Sequence, residues 1–244
     1  MGVCLLLATL IVIGVPAGTY AQSVDEIIAK NAAARGGAEK MRAIHSIVVT
    51  ARLTTPEGGG GPLIVRLLRP DHIREEMAIG GAKSVRSFDG TAAWTEHQDA
   101  AKVEIKPLSG GELDNLHDEA EDGIDGALLD YRAKGNRVEL QGKEDVDGRP
   151  CYKLKVTLRT GHLQYQYLDA RTFLEVREEI VRSGPQGDFV IEETVGDHHE
   201  EGGVLFPHRY VSGLKGRAAK STLTIEKIEL NPPMDEAIFH MPKR

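Results

Sequence analysis

The side chains best suited to chemistry are concentrated in one stretch, Gly196-Asp197-His198-His199-Glu200-Glu201-Gly202-Gly203. Imidazoles and carboxylates at this density are the raw material of a metal site, and through it of hydrolysis. Their spacing argues otherwise. Adjacent side chains on an extended segment point to opposite faces, so His198 and His199 are badly placed to chelate one ion. Metal-binding pairs prefer i, i+2 on a strand or i, i+4 on a helix. The stretch therefore reads as a charged rim between a strand ending near Val195 and one starting near Val204, with Gly202-Gly203 as the turn. No metal is expected here, and nothing in the chain calls for a cofactor.

The remaining reactive residue types give no catalytic set. The chain has no GxSxG elbow, phosphate-binding GxxxxGK[ST] loop or HExxH helix. Cys151 opens an alternating strand and reads as a buried structural thiol. Glu178-Glu179 and Glu192-Glu193 are strand neighbours pointing to opposite faces, so neither pair acts as a local acid and base. Asp89 belongs to an Asp-Gly turn with a backbone role. His72, His97, His117 and His162 are scattered and read as exposed. The expectation is a protein without catalytic residues, not an enzyme.

Composition narrows the alternatives. A formal net charge of −7 disfavours nucleic acid or a bare anionic membrane surface as partner. Residues 1–21, MGVCLLLATLIVIGVPAGTYA, hold a charge-free apolar run too short to span a bilayer, ending in Pro16 and Gly18. Thr19-Tyr20-Ala21 supplies small residues where a signal peptidase reads, so a cleaved export signal is expected. Residues 22–244 then form a single soluble domain with Cys151 as the only cysteine, hence no internal disulfide.

What would position a site is mostly β structure. Ser23-Val24-Asp25-Glu26 predicts a capping box opening a helix that stops at Gly36-Gly37. Period-two alternation follows: Ile47, Val49, Ala51 and Leu53; then Leu63, Val65 and Leu67; later Tyr152, Leu154, Val156 and Leu158. Further alternating segments are separated by Asp-Gly, Thr-Gly and Ser-Gly turns, for an expected total of ten or eleven antiparallel strands. One interruption, 108–135, places Leu113, Leu116, Ala120, Ile124, Ala127, Leu128 and Tyr131 on one stripe of a broken, acidic helix, with Ser109–Glu112 as a possible capping box. So many one-faced strands must curl around something, with helices over the open side. A packed core and a lined cavity fit this pattern equally.

Six phrases in order carry a family resemblance: RLLRPDHIR (66–74), RSFDGTAAW (86–94), VDGRPCYKLKV (146–156), YLDARTFLEVREE (167–179), EEGGVLFPHRY (200–210) and IELNPPMDEAIFHMP (228–242). Together the chain resembles the periplasmic outer-membrane lipoprotein-sorting proteins of the LolA-like superfamily. The resemblance implies an unclosed, strongly curved antiparallel sheet or β-barrel, with an N-terminal helix and a helical lid (108–135) over a hydrophobic cavity. It implies a periplasmic carrier that shuttles acyl chains of lipoproteins or lipids, received from an inner-membrane donor and passed to an outer-membrane acceptor. Candidate cavity residues are Leu63, Val65, Leu67, Met77, Trp94, Leu113, Leu116, Leu128, Leu154 and Val156. The Arg69-Pro70 step matches the family's Arg-Pro, which makes Arg69 the candidate lid contact. The acidic 108–135 segment departs from the simplest members and leaves the cargo open. An envelope sensor or protein-interaction module on the same fold is the alternative.

Overall fold

The structure, a computed structural model, describes residues 22–184 and 186–243; the expected export signal at 1–21 lies outside the described residues. Helix α1 (Val24–Ala34) opens with the capping box formed: Ser23 Oγ accepts from Glu26 N, and Ser23 N donates to the Glu26 carboxylate. A short α2 (Ala38–Arg42) follows a tight Gly36-Gly37 turn. Gly36 has φ +113°, and a Cβ there would lie 2.1 Å from the Gly203 carbonyl oxygen, so only glycine lets the helix end approach the later hairpin.

Thirteen strands then form one sheet: β1 (Ser46–Thr54), β2 (Gly60–Leu68), β3 (His72–Ile79), β4 (Ala82–Asp89), β5 (Ala93–Gln98), β6 (Val103–Pro107), β7 (Arg137–Val146), β8 (Arg149–Thr157), β9 (Leu163–Asp169), β10 (Glu175–Gly184), β11 (Gly187–Glu201), β12 (Val204–Leu214) and β13 (Ser221–Leu230). The count is slightly above the expected ten or eleven. All pairings are antiparallel, in the order β6-β5-β4-β3-β2-β1-β13-β12-β11-β10-β9-β8-β7. The β1–β13 pairing joins two meanders, and β6 and β7 stay as separate edges, so the sheet is curved and unclosed. Register shifts between Thr50 and Ala51, between Leu140 and Gly142, and between Glu175 and Arg177 sharpen the local twist.

Segment 108–135 breaks the meander between β6 and β7. Helix α3 spans Gly111–Asp122 and gives way to irregular turns up to Gly135. The expected Ser109–Glu112 capping box is absent; Gly110 is the N-cap and no side chain caps the helix. The apolar stripe is buried in two places. Leu116, Ala120 and Ile124 pack on Ile47, Leu67, Ile73 and Phe88. Ala127, Leu128 and Tyr131 pack with Ile27 and Ile28 of α1 against Leu154, Val156 and Leu168. The segment thereby bridges the two halves of the sheet, and the space left beneath it is the cavity.

Candidate functional site

A cavity of about 580 Å³ lies between the concave face of the sheet and segment 108–135. That volume is typical of small-ligand sites. One wall is mainly apolar: Val49, Val65, Leu67 and Ile73 from β1–β3, continued by Leu223, Ile225 and Phe206, with the ion-paired Glu75 and Arg86 of β3 and β4 beside Val65. The opposite wall is polar, with Gln164 and Gln166 on β9, Glu175, Glu178 and Arg182 on β10, and Glu193 and His198 on β11. Asp122, Arg35 and Tyr210 complete the lining on that side.

Local irregularities aim these groups inward. Strict alternation would separate Glu175 from Glu178, but the β9–β10 pairing slips at Val176, so both face the cavity with Ile180 and Arg182. Glu178 stands opposite Glu193 across β10–β11, so the two carboxylates come together from neighbouring strands. Asp197 has φ +54°, a left-handed conformation that Asp tolerates, and beyond it His198 turns into the cavity. Glu179 and Glu192 take the outer face instead, where Lys215 and Lys220 bind them at 2.6 and 2.7 Å.

Burial dominates the electrostatics. It pushes Glu193 up to about 8, with nearby Glu178 adding to the shift, and Asp122 up to about 7. Glu175 is pushed well above the usual carboxylate range by burial first and by Glu178 second. The Tyr210 phenol is raised by the same burial, and Arg35 is pulled down by it while Glu175 offsets part of the effect. Gln164 donates to Asp122 Oδ2 and Gln166 to Glu178 Oε1, each at 2.7 Å. Three polar atoms on this wall have no hydrogen-bond partner among the described residues: Asp122 Oδ1, Glu175 Oε1 and Arg182 Nη1.

The cover is fastened by charge. Asp125, 2% exposed, accepts from Arg69 Nη2 at 2.6 Å and from Lys134 Nζ at 2.5 Å. Arg69 also donates to the Ile44 and Met41 carbonyls, so it ties segment 108–135 to the chain leading into β1. Arg86 joins Glu75 to Glu119 of α3, and Asn115 donates to the Ser183 carbonyl.

Of the other sequence candidates, Val65, Leu67 and Leu128 line this cavity. Leu154 and Val156 are fully buried beside α1, and Leu116 lies in the core beneath α3, with Leu113 packed at that core's edge. Leu63 and Met77 pair across β2–β3 outside the lining. Trp94 is a core residue whose Nε1 donates to the Phe239 carbonyl at 2.7 Å, pinning the C-terminal segment. The histidine stretch needs correction. It lies inside β11, which runs to Glu201, rather than between strands. His199 stacks on His208 on the outer side, with ring centroids 4.3 Å apart, while His198 faces inward. Among the described residues no group of three or more His, Cys, Asp or Glu is placed to hold a metal ion. Cys151 is buried and its thiol is raised by burial.

His162 is not exposed as its position suggested. Its Nδ1 lies 2.6 Å from Asp118 Oδ2 and its Nε2 3.2 Å from Ser183 Oγ, the order of a serine nucleophile, base and acid. The Ser183 hydroxyl donates to Asp188 at 3.0 Å, and Ser183 is not among the residues lining the 580 Å³ cavity. Thr160 also donates to Asp118, and the set acts as a strut holding α3 on the ends of β9 and β10. His117 is likewise occupied, edge-on to Phe88 and close to Arg159, and His72 packs on Phe239.

Sequence comparison finds no matching family model and no matching curated protein. Comparison of folds does find relatives. A DUF1329 family protein from Desulfovibrio piger is similar with a TM-score of 0.57 at 13% identity, covering 89% of this chain and 97% of that one. A LolA superfamily protein from Nitrosomonas europaea gives 0.55 at 15% identity, covering 90% and 98%. A domain assigned to outer membrane lipoprotein sorting, from Vibrio parahaemolyticus, gives 0.55 at 13% identity, covering 89% and 97%. The fold is LolA-like: a mainly antiparallel, unclosed curved sheet with few helices.

Proposed function

We propose that the protein is a periplasmic carrier that takes acyl chains of lipoproteins or lipids into the cavity and moves them towards the outer membrane. In this reading residues 1–21 are a cleaved export signal and 22–244 one carrier domain, loaded by an inner-membrane donor and unloaded by an outer-membrane acceptor. The observation that carries it is the 580 Å³ cavity with its mainly apolar wall, covered by a segment held at its polar anchors. Leaving an acyl chain in water costs about 0.8 kcal/mol per methylene, and the Val65–Leu67–Ile73 wall offers the apolar contact that removes this cost. Among the described residues no helix is long and apolar enough to cross a membrane. Arg69 acts as the lid contact through Asp125, setting how readily segment 108–135 lifts. The reading assigns no catalytic step to the cavity.

The test is mass spectrometry of protein extracted without harsh detergent, together with uptake of a fluorescent fatty acid. Bound lipid or lipopeptide and saturable uptake are the expected results. Protein free of lipid that also takes up no fatty acid would remove the carrier reading.

A further inference from the structure

The cavity's polar wall holds more carboxyl groups than the fold pairs with cations. Glu75 and Glu119 are met by Arg86, and Asp125 by Arg69 and Lys134. Asp122, Glu175, Glu178 and Glu193 line the same space with no ion-pair partner among the described residues. Arg35, from α1, already donates to the Asp125 carbonyl at 3.0 Å. Clustered carboxylates in an enclosed space focus a negative potential on it, which a cation relieves. A second observation stands apart from the acids. Arg182 is 8% exposed and lines the cavity, yet its Nη1 has no acceptor, its nearest counter-charge being Glu119 at 3.6 Å from Nε. A buried guanidinium nitrogen without an acceptor is a costly arrangement that a bound oxygen would satisfy.

We propose that the cavity selects an amphipath whose buried polar end pairs a protonated amine with a neighbouring oxygen acceptor. The amine meets the Glu175, Glu178 and Glu193 carboxyls, the oxygen meets Arg182 Nη1, and the tail lies on the Val65–Leu67–Ile73 wall. This rests on the carrier reading and names its cargo class. A ligand ammonium between these carboxyls would supply the counter-charge that favours their ionised form against burial. A cargo with a purely anionic end would leave them unpaired. Both a phosphoethanolamine headgroup and a long-chain amino alcohol carry this chemistry.

The experiment measures binding of lysophosphatidylethanolamine, lysophosphatidylglycerol and sphinganine to the purified protein by competition with a fluorescent fatty-acid probe. The two amine-bearing ligands are expected to bind at least tenfold more tightly than lysophosphatidylglycerol. Arg182→Gln should weaken the phosphate-bearing amine more than the amino alcohol if a phosphate is the natural acceptor, and both alike if a hydroxyl is. The double variant Glu178→Gln/Glu193→Gln should erase the preference, while Glu192→Gln, on the outer face, should keep it. If circular dichroism shows the double variant unfolded, Glu193→Gln alone and dodecylamine against dodecanoate on the unaltered protein decide in its place. Equal binding of the two lysolipids, or a preference that survives loss of the carboxylates, overturns the inference and leaves the carrier reading standing. Failure of all three ligands to displace a bound probe overturns the inference alone, and failure of the fatty-acid probe itself to bind lipid-free protein overturns both.

Discussion

The two halves of the sheet present opposite chemistry to one cavity. Strands β1–β3 offer Val49, Val65, Leu67 and Ile73 with Glu75 the one charged side chain among them, while β9–β11 offer Gln164, Gln166, Glu175, Glu178, Arg182 and Glu193 interspersed with Leu168, Ile180 and Ile191. Both halves alternate in sequence and both pair antiparallel, so secondary structure does not separate them. The difference is in how each is stabilised. The apolar wall is continuous with a core reaching Leu116, Ala120 and Ile124, and removing water from it favours folding. The polar wall holds carboxyls that folding has partly desolvated, so it opposes the folded state whenever they ionise.

Truncating the apolar wall should have the largest effect. Leu67, 4% exposed, packs against Gly123 at the end of α3 and against the core. Leu67→Ala should destabilise the protein by about 2–5 kcal/mol in urea unfolding. A loss below about 1 kcal/mol would mean that this wall contributes no more to folding than the polar one. Next is the fastening of the cover. Arg69→Leu removes three hydrogen bonds and leaves buried Asp125 with Lys134 alone, an expected loss of about 1–3 kcal/mol. Transfer of a fluorescent fatty acid to acceptor vesicles should change as well, and unchanged transfer would confine Arg69 to a structural role.

The polar wall should show its character through pH. Glu193 is raised from 4.5 to about 8, so between those values the folded state binds more protons than the unfolded one. Stability therefore falls as pH rises through that window and levels off above it. Glu193→Gln should raise the melting temperature of lipid-free protein at pH 8 while changing it little at pH 4.5. A variant equally stable relative to the parent at both values would show that the carboxyl is not desolvated. The smallest expected effect concerns the strut between the walls. A fluorophosphonate probe should leave Ser183 unlabelled, because its hydroxyl donates to Asp188 and it lies outside the lining of the 580 Å³ cavity. Labelling at Ser183 would turn the Asp118–His162–Ser183 contact into a catalytic set.

Much of this was legible in the chain. Alternation located the strands, the Ser23–Glu26 box placed α1, and the 108–135 stripe marked the covering segment. The polar wall is not legible along any one strand, where i and i+1 diverge, because its carboxyls meet across neighbouring strands. The signal was nonetheless present: the short Gly184–Gly187 connection fixes the hairpin register that sets Glu178 opposite Glu193.

Sequence by itself determined which segments are strands and which residues can face a core, because side-chain period follows directly from backbone geometry. Tertiary structure alone decided which charged residues share a space. The slip at Val176 and the left-handed turn at Asp197 each reverse the alternation once, bringing Glu175 beside Glu178 and His198 into the cavity. A one-residue shift exchanges the two faces of a strand, and such a shift is set by the neighbouring strands rather than by the segment that bears it.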